Sequence, residues 1–327
     1  MNVLVVGGAG YIGSHMVKYL GNQGCSVTVL DNLSSGHRDA VLCGELLVGD
    51  LADCDFLDQV FEKQSFDVVM HFASSIMVGE SVVKPSLYYR NNVTHTQNLL
   101  DAMVKYDVQH FIFSSTAAIF GEPEYTPIDE LHPKCPMNPY GRSKWMVEQI
   151  LEDYDRAYGL KSICLRYFNA AGADPECELG ERHDPETHLI PLVLQAASGK
   201  RDAITVFGRD YDTEDGTCIR DYIHVNDLCS AHWLAIQSLK SRGESQRFNL
   251  GNGNGFSVQQ LIDVCREVTG KDIQVIDGER REGDPAALVA DASRAQLELG
   301  WTPKFDDLSA IVSHAWAWES KDCGHVG

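Results

Sequence analysis

The chain has 327 residues, 44% of them apolar, and a formal net charge of −20 from 27 basic and 47 acidic side chains. That size suits one large domain or two modest ones with a buried core. The acidic balance argues against a nucleic-acid or anionic-membrane partner, which requires a basic face, and no stretch approaches the ~18 apolar residues of a membrane span.

The opening MNVLVVGGAG has no basic segment, and its short apolar run breaks into glycines, so it does not read as a signal peptide. Strand-like runs follow at Asn2–Val6, Val27–Leu30, Glu45–Val48, Phe66–His71, His110–Ser114 and Ser162–Tyr167. Between them lie helical patterns: Ile12, Met16, Val17 and Leu20 after Gly10; Phe56, Val60 and Phe61 after Asp53; then Asn92–Tyr106 and Tyr140–Tyr158. Such alternation predicts βαβ units in a doubly wound parallel sheet, with strands apolar on both faces because helices cover both. Beyond residue 168 the rhythm loosens. Helices are expected at Leu189–Ser198, Asp227–Lys240, Ser257–Thr269 and Leu308–Ser320, with a strand at Ile204–Gly208. The expected organisation is a nucleotide-binding unit over 1–168 and a smaller mixed α/β lobe over 169–327, with some chain crossing between them. The lobe is placed on the C-terminal ends of the strands, where open α/β sheets bind ligands. The ten cysteines include no C-x-x-C pair and read as reduced small hydrophobes of a cytoplasmic protein.

GGAGYIG, residues 7–13, follows the first strand and opens the first helix. Glycine there permits a tight turn, close backbone approach to a pyrophosphate and close helix–strand packing. The helix N-terminus offers free N–H groups to phosphate. Asp31 ends the second strand 18 residues after Gly13, where a carboxylate accepts from both ribose hydroxyls and repels a 2′-phosphate. The cofactor expected is therefore NAD, held in part by Gly7, Gly10, Gly13 and Asp31.

GGAGYIGSH, DNLSSG, HFA…VGES, FSST, PYGRSK, RYFNAAGADP, TEDGTCIRDYIHV and RREGDPA occur in one order along the chain. Together they resemble the UDP-galactose 4-epimerases of the extended short-chain dehydrogenase/reductase family, from residue 1 to about residue 320. The resemblance implies a Rossmann-like NAD domain with a UDP-sugar lobe, a homodimer formed through two long helices beginning near Pro85 and Tyr140, and catalysis by Tyr140, Lys144 and Thr116. The family usually has serine in the third role, with Ser115 as the alternative register. Further NAD contacts implied are Tyr11, Ile12, Asn32, Ser35, Asp50, Leu51, Phe72, Ala73, Asn92, Ser114, Tyr167 and Phe168. Asn92 has a second reading, a buried helix residue satisfied by backbone. Implied substrate contacts are Thr116, Tyr140, Asn169, Leu189, Thr205, Phe207, Arg220, Tyr222, Val258, Arg281, Asp284 and Leu288. Arg220 and Arg281 suit a diphosphate, unless ion pairs with Asp221 or Glu282 occupy them.

A free tyrosine titrates near ~10, too high for a base at neutral pH. An adjacent ammonium and a positive nicotinamide lower that value. Tyr140 is then expected to take the sugar 4-OH proton, Thr116 to hydrogen-bond the same oxygen and Lys144 to hold the nicotinamide ribose. Two departures from the family pattern stand out. Ile76 replaces a lysine that some relatives use on the cofactor. Leu288 is smaller than the tyrosine of strict glucose/galactose enzymes, which predicts room for an N-acetyl group. Sugar dehydration is disfavoured, because Ala117 and Ala118 follow Thr116 where the related dehydratases carry acids. A net dehydrogenase and a non-catalytic NAD sensor are the remaining alternatives. His71, His183 and His188 form neither H-E-x-x-H nor a Cys/His spacing, so no metal is expected.

Overall fold

The computed structural model describes residues 1–281 and 284–323; Glu282 and the side chain of Cys323 lie outside the described residues. The first half alternates as expected: β1 (Asn2–Val6), α1 (Tyr11–Asn22), β2 (Ser26–Asp31), β3 (Glu45–Val48), α2 (Cys54–Lys63), β4 (Val68–His71), α3 (Val78–Val83), α4 (Pro85–Tyr88), α5 (His95–Lys105), β5 (His110–Thr116), α6 (Pro139–Tyr158) and β6 (Lys161–Tyr167). A π-helical turn, Tyr89–Thr94, joins α4 to α5. The second half contributes β7 (Asn169–Ala171), α7 (Leu189–Ser198), β8 (Ile204–Phe207), β9 (Ile219–His224), α8 (Val225–Arg242), β10 (Gln246–Leu250), β11 (Gly255–Ser257), α9 (Val258–Thr269), β12 (Val275–Gly278), β13 (Ala287–Leu288), α10 (Ser293–Leu299) and α11 (Leu308–Cys323).

Seven parallel strands form the large sheet, in the order β10-β6-β5-β4-β1-β2-β3. The order reverses between β1 and β4, which opens a crevice at their C-terminal ends. Alternate residues of β1 serve opposite faces. Val3 and Val5 pack with Met16, Val17 and Leu20 of α1 and with Leu228 and Ile236 of α8. Leu4 and Val6 pack with Val60 of α2, Leu99 of α5 and Leu151 of α6. Each such side chain contributes ~1.5–3 kcal/mol on full burial, so a strand apolar on both faces needs both helical layers.

Most of the remaining second half forms a lobe with its own core, in which Val193 of α7, Val206 of β8, Leu261 of α9 and Ile311 of α11 meet. Its strands form two small sheets: β9 with β7, β11 and β13, and β8 with β12. The seventh strand of the large sheet, β10, comes from beyond residue 168, and α8 packs on α1 against that sheet. Periodicity did not mark β10, because Gln246, Arg247 and Asn249 interrupt its apolar pattern.

Candidate active site

The glycine turn after β1 is fixed by backbone contacts. Gly7 has φ +80°, and a Cβ there would lie 2.5 Å from the Ala73 nitrogen at the end of β4. A Cβ on Gly13 would lie 2.1 Å from the Gly7 oxygen, so the first turn of α1 rests directly on the loop. Gly10, the N-cap of α1, differs: φ is −81°, and a Cβ would meet only the Gly7 oxygen, at 3.5 Å. The fold itself does not require glycine there, whereas a ligand approaching the backbone does. No side chain caps α1, leaving its N-terminus, with Tyr11 and Ile12, to bind an anion. Asp31 is buried at the tip of β2 and accepts from Ala9 N (2.9 Å) and Leu33 N (2.8 Å), and each carboxylate oxygen keeps a lone pair. These groups fit a dinucleotide.

Other expected cofactor residues line the same end of the sheet. Asn32 donates to Asp50 (2.7 Å), Ala52 N donates to the other Asp50 oxygen (2.8 Å), and buried Leu51 follows. Burial opposes charge on Asp50, but these donors and His95 hold its carboxyl below the usual range. Ser35 is exposed beside this strip. Phe72 and Ala73 back the glycine turn, with Phe72 N bonded to Val6 O at 2.8 Å. Asn92 accepts from Ser75 N (2.8 Å) and donates to Ser75 O (3.0 Å) and Ser143 Oγ (3.0 Å). Asn92 is thus buried and held by both the Ser75 backbone and the Ser143 hydroxyl.

The start of α6 carries Tyr140 and Lys144, the expected catalytic pair. Asn138 caps it by accepting from Gly141 N (2.9 Å), and Pro139 occupies the first turn. A Cβ on Gly141 would lie 2.4 Å from the Ala118 oxygen. Glycine thus lets α6 close onto the turn after β5, which brings the Tyr140 phenol near the Thr116 hydroxyl. Ser115, on the alternate face of β5, donates instead to Glu148 at 2.6 Å, so Thr116 is the hydroxyl at Tyr140. Lys144, one turn on, is buried and donates to Ser74 Oγ (2.7 Å) and Ser114 O (2.8 Å), over the Phe113 ring. Ser114 Oγ in turn bonds the Tyr167 hydroxyl.

Burial brings the Lys144 ammonium down to about 7. It also raises the Tyr140 phenol, an effect only partly opposed by Thr116. In the chain by itself burial outweighs every lowering influence on the tyrosine, and the lysine points two of its protons at Ser74 and Ser114.

On the lobe side, Asn169 pairs in register with Tyr222 and donates to Asp221 O at 2.9 Å. Arg220 ion-pairs with Asp284 and donates to Pro285 O at 2.9 Å. Asp221 is not its partner, because that carboxylate accepts from Asn252 N, Gly253 N and Ala290 N. Two expected ligand residues thus hold each other. Arg281 stacks 3.9 Å above the Phe207 ring, and Thr205 lies two residues back on β8. Val258 opens α9 and Leu189 opens α7. Leu288 pairs with Arg220 and, with Phe168, packs against Ile119 and Phe120 just after Thr116. That contact links the lobe to the catalytic strand. Sequence reasoning missed Ser74, Gly141 and the buried Arg166–Glu148 pair (2.6 Å) behind Thr116. Of these, only the small residue inside PYGRSK was a usable signal.

A glycine turn that admits a dinucleotide, beside a Tyr–Lys pair and a strand-end hydroxyl, defines a nucleotide-dependent short-chain enzyme. Residues 3–251 match the NAD dependent epimerase/dehydratase family, and the chain belongs to it. Within that family it is 53% identical to the UDP-glucose 4-epimerase of Halalkalibacterium halodurans, over 98% of this chain and 96% of that one. The crystal structure of the Brucella ovis UDP-glucose 4-epimerase in complex with NAD is 50% identical, with a TM-score of 0.95 over 96% of this chain and 97% of that one. The Campylobacter jejuni UDP-Glc/GlcNAc 4-epimerase is 44% identical, with a TM-score of 0.87 over 98% and 99%.

Proposed function

We propose that the chain interconverts UDP-galactose and UDP-glucose, inverting the sugar at C4 with no net redox change. The observation that carries this reading is the placement of Tyr140 near Thr116 and one turn from the buried Lys144, at the sheet end that holds the glycine turn. NAD, when bound, would supply a hydride acceptor and donor for C4. Gly10, the first turn of α1 and Asp31 would hold it. Tyr140 takes the proton of the 4-hydroxyl and later gives it back, while Thr116 hydrogen-bonds the same oxygen. The Lys144 ammonium has a third proton to offer the nicotinamide ribose. Opposite charge from that ammonium and from the oxidised nicotinamide favours the phenolate against its burial. Arg220 and Arg281 anchor the diphosphate while the sugar turns, Asp284 leaving Arg220 for the uridine ribose. Purified protein given UDP-galactose and no added NAD should form UDP-glucose. Tyr140→Phe should lose ~10²–10⁴-fold in turnover while still binding NAD and UDP; unchanged turnover would remove Tyr140 as the base.

A second reading, acceptance of N-acetylated sugars, rests on Leu288 at the junction of lobe and catalytic strand. Turnover of UDP-N-acetylglucosamine is expected, and Leu288→Tyr should abolish it while sparing UDP-galactose. No turnover by the wild type would sink this reading.

Two further proposals concern assembly and setting. Val82, Val83, Leu87 and Met146 are exposed apolar residues on neighbouring α3, α4 and α6, which supports a homodimer through these helices. The nine cysteines whose side chains are described are free, which supports a cytoplasmic setting. No helix among the described residues is long and apolar enough to cross a membrane.

A further inference from the structure

Just before α7, the segment E-R-H-D-P-E-T-H brings Glu181, His183, Glu186 and His188 together, and one ligand atom from each lies within 4.8 Å of all the others. The four do not pair off. His183 and His188 both aim Nδ1 at the same oxygen, Glu181 Oε1. Glu186 turns its own Oε1 toward His183. For zinc, bond lengths of ~2.0–2.2 Å in a tetrahedron place neighbouring ligand atoms roughly 3.4 Å apart. The separations of 2.9 Å (Glu181 Oε1 to His183 Nδ1) and 3.9 Å (His183 Nδ1 to Glu186 Oε1) straddle that value, while His188 Nδ1 sits closer to Glu181 Oε1 and must draw back from it to share an ion.

The surroundings pre-set the segment. Glu186 Oε1 accepts from Thr187 N (2.7 Å) and His188 N (2.8 Å). Trp318 donates to Glu181 O (3.2 Å), His37 contacts Arg182 O (3.0 Å), and Arg182 binds Asp39 through both terminal nitrogens. Both carboxylates are buried, while His188 remains 43% exposed and leaves a path for entry. A neighbouring cluster shows the contrast. Asp174, Glu176 and Glu178 also converge, but the Lys18 ammonium already sits among them at 2.6–2.8 Å. No lysine or arginine occupies the His/Glu cluster in the same way among the described ion pairs.

We propose that Glu181, His183, Glu186 and His188 form a closed four-ligand site for a divalent cation, zinc by its imidazole and carboxylate donors. Such a donor set suits a structural zinc and leaves no open position for chemistry. The site lies behind the catalytic crevice: the Tyr11 ring of α1 meets His183 edge-on, at 6.3 Å, and its hydroxyl donates to Gly172 O (2.6 Å). The cation fastens the start of α7 to the turn that binds the cofactor. The E-x-H-x-x-E-x-H spacing matches neither pattern tested in the sequence, which is why no metal was expected from it.

The test uses the full chain, purified without a metal-affinity tag, stripped with a chelator and titrated with Zn²⁺ or Co²⁺. One metal per chain is expected by elemental analysis, and Co²⁺ should give the intense visible bands of a tetrahedral site. The His183→Asn/His188→Asn variant, with an unchanged circular dichroism spectrum, should lose both signals. Failure of the stripped wild type to take up stoichiometric metal overturns the proposal, leaving a proton-bridged His/Glu cluster. Full uptake by the folded double variant also overturns it, by placing the metal elsewhere. Should the double variant misfold, His188→Cys decides: it keeps a ligand and must add a thiolate-to-Co²⁺ charge-transfer band, whose absence refutes the site.

Discussion

Gly7 and Gly10 stand three residues apart in the same turn, yet glycine answers a different demand at each. Gly7 is constrained by positive φ and by the backbone of Ala73, whereas Gly10 has open space and ordinary φ. Gly7→Ala should therefore cost more than ~1 kcal/mol of stability. Gly10→Ala should unfold at the same denaturant concentration as the wild type but emerge from gel filtration without NAD. Lys144 permits a pH prediction. Its folded value is about 7 against an ordinary 10.5, so between those values the unfolded chain binds more protons and stability rises with pH. Lys144→Met removes that dependence. It should be more stable than the wild type by roughly 1–3 kcal/mol at pH 6, with the gap closing toward pH 10, and inactive throughout. Urea unfolding of both proteins across this range checks it. The residue types of this site were legible because Tyr140, Lys144 and Thr116 stand in short recognisable phrases. Their settings were not: the Ser74 partner of Lys144 lies 70 residues away, and only the packed sheet brings the two together.

α6 presents Tyr140, Lys144 and Glu148 at intervals of four, one stripe turned toward the sheet. The first two serve the crevice, and the third serves the scaffold. Glu148 is fully buried and accepts from Arg166 through both oxygens (3.0 and 2.6 Å) and from Ser115 Oγ at 2.6 Å, and it ion-pairs with Arg247 at 3.2 Å. It thus fixes the far face of β5 directly behind Thr116. Glu148→Gln leaves Arg166 buried without a counter-charge and should cost about 3–5 kcal/mol, measured by equilibrium denaturation. The strands of the first half were readable to within a residue or two, as with Val27–Leu30 against Ser26–Asp31, because most are buried on both faces and hold a short apolar run. β10 was not readable, because its polar residues find partners only in the folded chain: the Asn249 side chain donates to Ile128 O, while Arg247 reaches Glu148 and Glu152. A pattern of apolar periodicity has no means of scoring such pairs.

At the scale of the molecule, the exposed residues Leu87 and Met146 lie on adjoining helices. The Leu87→Asp/Met146→Asp variant should sediment as a monomer with an unchanged circular dichroism spectrum; a dimer that persists would move the interface elsewhere. The change of rhythm near residue 168 suggested two parts with some chain crossing, but not which strand returns to the large sheet. That return has a consequence for synthesis. β6 pairs with β10, and about eighty residues of lobe are made between them. While they emerge from the ribosome, Lys161–Tyr167 stands as an unpaired, largely apolar sheet edge, open to the same strand of another nascent chain. Residues 1–168 made alone should therefore aggregate, whereas the full chain, with β10 in place, should stay soluble under the same conditions. The stretch that completes the sheet also acts, during its own birth, as the guard on a sticky edge.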